Sequence, residues 1–308
     1  MEVNVAWSQR FLRDRYSLAA LIILLLSIAF IIYSFWPRVV SSPHINVLED
    51  YVRAVQYLNK SSIALEGVLK GFGVSGYDFS DVYGVRMRLE RYLRNVSAVY
   101  GSDNSFFVGA AKSYLYVASA SVKGVEAYRD LNSSVTTLRE SLELLALCRV
   151  DEALEKFGLV EDKVVGAIGS TASAIDILRN VNSSYLAENH VGVVNASLRR
   201  FENVFKSLQA AYNVMQMAKS YRDVVEALCK GERVGDQQRL AGLKKELEDV
   251  GVSGPLSLEV MNARNKLLSL IQQGMPGQGQ EGNEQGSSSG SSQGVGGGAG
   301  YVPPESDD

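Results

Sequence analysis

Two cysteines carry the most specific chemistry in this chain. Cys148 and Cys229 end the similar sequences LALC and EALC, and a basic residue follows each of them. Both fall near the ends of predicted helices, so a disulfide would close a loop of about 80 residues. Two arguments favour free thiols instead: the later helix looks long enough for Cys229 to overshoot Cys148 by about 10 Å, and Cys148 lies on an apolar stripe, where a thiol packs as a small hydrophobe.

Other residues suited to catalysis or metal binding are sparse. The chain has two histidines, His44 and His190, and neither lies at helical spacing from a cysteine or a carboxylate cluster that would bind a metal. The acid-rich run at residues 246–249 follows lysines and is typical of a solvated helix face. The sequence contains no Gly-x-Ser-x-Gly, phosphate-binding glycine loop or metal-spaced histidine pair. We therefore expect a protein that is not an enzyme and uses no cofactor.

Five Asn-x-Ser sequons are candidate N-glycosylation sites. Modification would require these asparagines to lie on the surface, outside the cytoplasm, in a lineage that glycosylates. The sequons begin at Asn59, Asn95, Asn132, Asn182 and Asn195.

Five of the fifteen tyrosines fall on the longest predicted helices. Tyrosine has an apolar ring and a polar tip, which suits ligand pockets and protein interfaces, and also the half-buried boundary of a thin bundle. These tyrosines are Tyr114, Tyr116, Tyr128, Tyr212 and Tyr221.

Residues 17–36 (SLAALIILLLSIAFIIYSFW) contain no charged side chain. Twenty helical residues extend about 30 Å, the thickness of the hydrocarbon core of a bilayer. Tyr16 precedes the run, and Tyr33, Phe35 and Trp36 stand at its far end, as aromatic residues do at membrane interfaces. A cleaved signal peptide is the alternative, but its apolar stretch has about 7–15 residues and ends in small ones. The run predicts a single transmembrane signal-anchor helix.

The charges around this run predict its orientation. Three arginines lie within residues 10–15, whereas Arg38 alone lies close on the far side. The positive-inside rule places residues 1–16 in the cytoplasm and the chain from residue 37 onward outside the cell membrane. The formal net charge of the whole chain is −3, with both signs well mixed between the anchor and the tail. Such a surface gives no electrostatic footprint for nucleic acid.

From Ile45 to Gln273 the apolar residues recur at helical spacing. The first helix carries a heptad seam, typical of coiled-coil packing, formed by Leu48, Tyr51, Val55, Leu58, Ser62, Leu65, Leu69 and Phe72. Asp151 is the expected N-cap of the fourth helix. Further helices are predicted over residues 82–100, 105–149, 151–178, 191–228, 236–250 and 256–273.

Each predicted helix has one apolar stripe, which must be buried against neighbours. Short connections favour antiparallel neighbours, and the third helix alone would be a rod of about 65 Å. The sequence predicts an all-α fold: a linker over residues 37–44, then an elongated antiparallel helical bundle with coiled-coil character over residues 45–273. Three glycines of the fourth helix, Gly158, Gly166 and Gly169, predict either a bend or close helix approach.

Residues 274–308 are dominated by Gly, Ser and Gln and carry five acids and no base. A segment with so little apolar surface to bury is expected to be a disordered acidic tail. It serves either as an inert solubilising tail or as a tether that presents its Tyr301–Pro304 end to a partner.

Two hypotheses of function follow. The first is a membrane-anchored, extracytoplasmic scaffold or interaction protein of the cell envelope, because a slender bundle offers much surface and little volume for a pocket. The alternative is an extracytoplasmic ligand-binding or sensory module that acts through a partner membrane subunit. A pocket lined by Tyr and Arg between the third and fifth predicted helices would favour the sensor, whereas a solid core would favour the scaffold.

Overall fold

The computed structural model describes residues 43–72, 76–101 and 105–274 of the chain. Within these ranges the backbone forms ten α-helices and one 3-10 helix, η1, without a β-strand, so the prediction of an all-α fold is confirmed for this part of the chain. The elements are α1 Pro43–Leu69, α2 Val82–Tyr100, α3 Phe106–Asn132, α4 Val135–Ala146, α5 Val150–Gly158, α6 Glu161–Arg179, η1 Ser183–Tyr185, α7 Glu188–Ser220, α8 Arg222–Cys229, α9 Gln237–Asp249 and α10 Ser257–Gly274.

The predicted membrane anchor at residues 17–36 lies outside the described residues, as does the predicted tail from residue 275 onward. Among the helices described, none combines the length and the apolar character that a bilayer crossing requires.

The single rod predicted over residues 105–149 is wrong, because the helix is divided at Ser133 and Ser134. Both serine hydroxyls donate to the main-chain carbonyl oxygen of Asp130, over 3.1 and 2.7 Å. Such local bonds compete with the helical ladder. The apolar stripe continues across the break, so the periodicity alone predicted one helix where the chain forms α3 and α4.

The fourth predicted helix is also divided, and the fifth is divided at Tyr221. Gly158 ends α5, while a Cβ atom at Gly166 would lie 2.9 Å from a carboxylate oxygen of Asp130. One glycine therefore ends a helix and another allows close approach to α3, whereas Gly169 has no atom within 4 Å of its Cβ position. Asp151, the expected N-cap, lies instead in the first turn of α5, where its negative charge still favours the helix dipole.

Successive long helices alternate in direction, as the predicted up-and-down order requires. Tyr51 contacts Tyr114 near the starts of α1 and α3, and the carbonyl oxygen of Leu69 accepts a bond from Arg139 of α4, so α1 runs parallel to α3 and α4. The ion pair between Glu161, the first residue of α6, and Lys219, near the end of α7, shows that α6 runs antiparallel to α7. α9 packs against α7, and α10 packs against α4, α7 and α9.

Four helices, α1, α3, α6 and α7, surround the main core, and α2 packs across α1 and α3. Side chains of α1 and α7 meet α3 at Gly124, where an added Cβ atom would lie 2.7 Å from Ser61 Oγ and 2.8 Å from Phe201 Cζ. Phe201 is fully buried. The heptad seam of α1 is buried except at its two ends, Leu48 and Phe72.

The one polar member of that seam, Ser62, is also satisfied inside the core. Its hydroxyl donates to the main-chain carbonyl of Asn59 over 3.0 Å and lies 3.2 Å from the hydroxyl of Ser197 on α7. A buried hydroxyl with both partners costs little, so this polar position fixes the register of α1 against α7.

Candidate functional site

The first turns of α1, α3 and α7, the last turns of α2 and the short helix η1 meet at one end of the bundle, which we call the aromatic end. The rings of Tyr51 and Tyr114 stack with centroids 4.0 Å apart and planes 11° apart, and Tyr92 meets Tyr51 edge-on at 6.4 Å. All three rings are buried. Burial raises the pKa of Tyr51, so this phenol stays neutral at any ordinary pH.

A tyrosine–histidine hydrogen bond ties α3 to the start of α7 at this end. The hydroxyl oxygen of Tyr114 accepts the N–H of Ala187 over 3.2 Å and lies 2.7 Å from Nδ1 of His190. The tautomer of the ring sets the direction of this bond: with the imidazole proton on Nε2, Nδ1 accepts the phenol proton. Burial lowers the pKa of His190, because the desolvated ring disfavours its charged form.

We expect acidification to weaken this junction. A histidine whose pKa is lower in the folded chain stabilises the fold above its unfolded pKa of about 6.5, and this contribution is lost as the pH falls below that value. Between pH 7.5 and about pH 5.5, thermal unfolding of the detergent-solubilised chain, followed by circular dichroism, should therefore shift to lower temperature. His190→Gln keeps an acceptor for Tyr114 and should shift less over the same interval. An equal shift in both proteins would contradict this role.

An ion-pair network fixes α2 against α1 below the tyrosines. Arg88 Nε lies 3.0 Å from both carboxylate oxygens of Asp50, and Arg88 Nη2 lies 2.8 Å from Asp81. Arg53 adds a second contact to Asp81 at 3.2 Å. Asp50 is buried, and hydrogen bonding to Arg88 lowers the pKa of Asp81. A buried carboxylate needs such a bidentate partner, so the network holds α2 in place.

Four aromatic rings contact one another in series on the surface of the aromatic end, and we call them the ring chain. The centroids of Tyr100 and Phe107 are 5.5 Å apart, those of Phe107 and Phe106 6.1 Å, and those of Phe106 and Tyr185 5.8 Å. Gly109 lies under the last ring, where an added Cβ atom would come within 2.5 Å of Tyr185. The ring chain therefore joins the end of α2, the start of α3 and η1 in one apolar surface.

The two cysteines lie at the opposite end, which we call the cysteine end. They form a disulfide, with their Cα atoms 5.4 Å apart. Cys148 has a φ of 61° and ends α4 in a left-handed turn, in which Arg149 N–H donates to Leu144 O over 2.9 Å and Cys148 N–H to Leu145 O over 3.0 Å. The overshoot expected from two uninterrupted helices does not occur, because both are divided.

The five sequons differ in accessibility. Asn59 is half-buried inside α1, and its amide oxygen accepts a bond from an arginine of α7. Asn195 is exposed, but the serine of its sequon is buried. Asn95 is exposed on α2, Asn132 is the exposed last residue of α3, and Asn182 is exposed before η1. Glycosylation stays a prediction, and the last three are the sites that the fold leaves most open.

The tyrosines chosen from the sequence divide into two groups. Tyr114 is buried at the aromatic end, whereas the others occupy half-buried boundary positions of the bundle. Of the two histidines, His190 contacts a phenol rather than a carboxylate, and the described residues contain no cluster of His, Cys, Asp or Glu that could hold a metal ion. The boundary tyrosines are Tyr116, Tyr128, Tyr212 and Tyr221.

Sequence reasoning missed the ring chain and the Arg88 network. A signal for the first was present: the aromatic pair Phe106-Phe107 comes shortly after Tyr100, which ends the apolar stripe of α2. A pair of adjacent aromatic residues cannot both face the core of a helix, so at least one of them had to be exposed. The second carries no local signal, because Asp50 and Arg88 are 38 residues apart.

The contact between α3 and α7 is filled by side chains. Phe201 packs on Gly124 at its middle, and Tyr114 bonds to His190 at its start. The structure does contain clefts, and one of about 410 Å³ lies between α7 and α9, with Lys206 and Glu246 on its walls. This cleft is open to solvent, and it lies away from the α3–α7 contact.

Comparison of the whole chain with known protein families, with curated proteins and with solved structures finds no match to any of them. The assignment of a function therefore depends on the geometry of the bundle and on the sequence around it.

Proposed function

We propose that this chain is a membrane-anchored, extracytoplasmic helical scaffold that docks another protein of the cell envelope and is not an enzyme. The observation that carries the proposal is the filled contact between α3 and α7 around Gly124 and Phe201. A ligand-binding sensory module would need room between these helices, and the cleft between α7 and α9 is open to solvent rather than enclosed. A solid bundle instead presents a fixed surface for protein docking.

The cysteine pair supports the proposed location of the bundle outside the cytoplasm. Disulfides persist outside the cytoplasm and are rare within it, and Cys148 and Cys229 stand at bonding distance, with Cα atoms 5.4 Å apart. The uncharged run at residues 17–36, with its arginines on one side, supplies an anchor that leaves the bundle outside. The ion pairs and the cross-link make the bundle a rigid spacer rather than a tether.

Chemical crosslinking in intact membranes, followed by purification of the chain, tests the docking role. We expect the full chain, and a chain without residues 275–308, to capture the same defined protein, because the bundle surface rather than the tail is rigid enough to dock it. The control chain keeps residues 1–42 and replaces the bundle with an unrelated helical domain. The scaffold role would be contradicted if neither chain that contains the bundle captured a protein. It would also be contradicted if the control chain captured the same protein equally well.

A further inference from the structure

The ring chain leaves an unusual amount of aromatic surface in water. The exposed fractions are 55% for Tyr100, 62% for Phe106 and 48% for Phe107, and the neighbouring Val99 is 75% exposed. These side chains are contiguous, since the three rings and Tyr185 contact in series. A contiguous apolar surface marks an interaction site more often than scattered exposed residues do.

The position of this surface in the chain indicates what covers it. Six residues separate Trp36, where the predicted anchor ends, from Pro43, where α1 begins, so these two residues lie about 25 Å apart at most. The Tyr51–Tyr114 and Tyr51–Tyr92 contacts place the start of α1 beside the start of α3 and the last turns of α2. The aromatic end is therefore the end of the bundle that the anchor holds near the bilayer.

We propose that the ring chain inserts into the interface of the outer leaflet and fixes the bundle on the membrane surface, an inference that rests on the anchor in the proposed function. Aromatic side chains favour the boundary between headgroups and acyl chains. Exposed charges of both signs stand at the same end, among them Glu49, Lys112 and Glu188. The contact is therefore apolar and needs no anionic lipid.

Tryptophan fluorescence in vesicles of brominated phosphatidylcholine tests this contact in the full chain. Native Trp36 alone, with Trp7→Phe, reports on the anchor. Phe107→Trp, with Trp7→Phe and Trp36→Phe, reports on the ring chain. Phe72→Trp in the same background is the matched control, because Phe72 is 67% exposed and follows the far end of α1, about 40 Å from its start.

Bromine atoms quench only fluorophores that reach the acyl region. We expect about twofold quenching of Trp36 and of the tryptophan at position 107, and none at position 72, with the same result when anionic lipid is added. Quenching of Trp36 without quenching at position 107 overturns the insertion and leaves the anchor standing. Equal quenching at positions 107 and 72 overturns it as well. Absence of quenching at Trp36 counts against the proposed function itself.

Discussion

Replacing Cys229 with Ser is expected to lower the free energy of unfolding by about 4 kcal/mol, because the cross-link to Cys148 closes a loop of 81 residues in the unfolded chain. In a helical body of this size, such a loss corresponds to about 10 °C in the midpoint of thermal unfolding.

Circular dichroism of the detergent-solubilised chain, with and without dithiothreitol, measures this effect. The reductant should bring the native chain down to the midpoint of Cys229→Ser and should leave that variant unchanged. Equal midpoints for the oxidised native chain and the variant would show that no cross-link forms.

Substitutions at Cys148 distinguish the stability that the disulfide contributes from the cost of the left-handed backbone conformation at this residue. A non-glycine residue in this conformation costs about 1 kcal/mol, and a φ of 61° places Cys148 there. Cys148→Gly should therefore be about 1 kcal/mol more stable than Cys148→Ser, although both lack the disulfide. At the other cysteine the corresponding left-handed residue is already a glycine, Gly231, with a φ of 72°.

Truncation of Phe201 is the second change with a large expected effect. Phe201→Ala should lower the free energy of unfolding by about 4 kcal/mol, because this fully buried ring fills the contact of α7 with α1 and α3. Its Cζ atom occupies the space above Gly124, so the two positions are expected to be coupled. Urea unfolding of the single and double variants measures both effects.

A double-mutant cycle tests whether the effects of substitutions at Gly124 and Phe201 are coupled. In the native background, Gly124→Ala should be neutral or destabilising, since its methyl group would meet Phe201 and Ser61. In the Phe201→Ala background the same change should be less unfavourable, because only Ser61 still meets the added methyl group, while replacing a helical glycine contributes its usual gain of about 1 kcal/mol. Gly169→Ala, which meets no atom within 4 Å, should give that gain in both backgrounds. An identical effect of Gly124→Ala in both backgrounds would contradict a filled contact.

Much of the fold was accessible from the sequence because apolar spacing is a local property. The seam of α1 gave the correct buried face from Tyr51 to Leu69, and the interval between the predicted helices 236–250 and 256–273 correctly separated α9 from α10. Asp236, the first residue of the predicted helix, caps α9 by accepting the N–H groups of Gln238 and Arg239. Each of these features depends on residues close together in sequence, so the sequence alone could predict them.

The helix breaks were not accessible in the same way. At Ser133 and Ser134 the hydroxyls end α3, but serine is common inside helices, and Ser121 and Ser141 make similar backward bonds without ending theirs. The difference depends on packing around the break, which periodicity does not contain. The same holds at Tyr221 between α7 and α8.

The candidate site was only partly predictable for a related reason. The pairing of Cys148 with Cys229 could be named from their contexts, yet the distance between them depended on the breaks. Tyr114 was singled out as an aromatic residue on a long helix, but its partner His190 lies 76 residues away. The contacts that assemble the aromatic end join residues distant in sequence, and a single sequence carries no signal for them.

The proposed function requires the bundle to lie outside the cell and the arginine-rich start of the chain to lie inside. Labelling of single introduced cysteines in unbroken cells with a membrane-impermeant maleimide tests this most directly. Ser253→Cys, in the exposed turn before α10, should react in intact cells, and Ser8→Cys should react only after lysis. Reaction of Ser8→Cys in intact cells, with Ser253→Cys protected, would contradict the anchor, the orientation and the scaffold together.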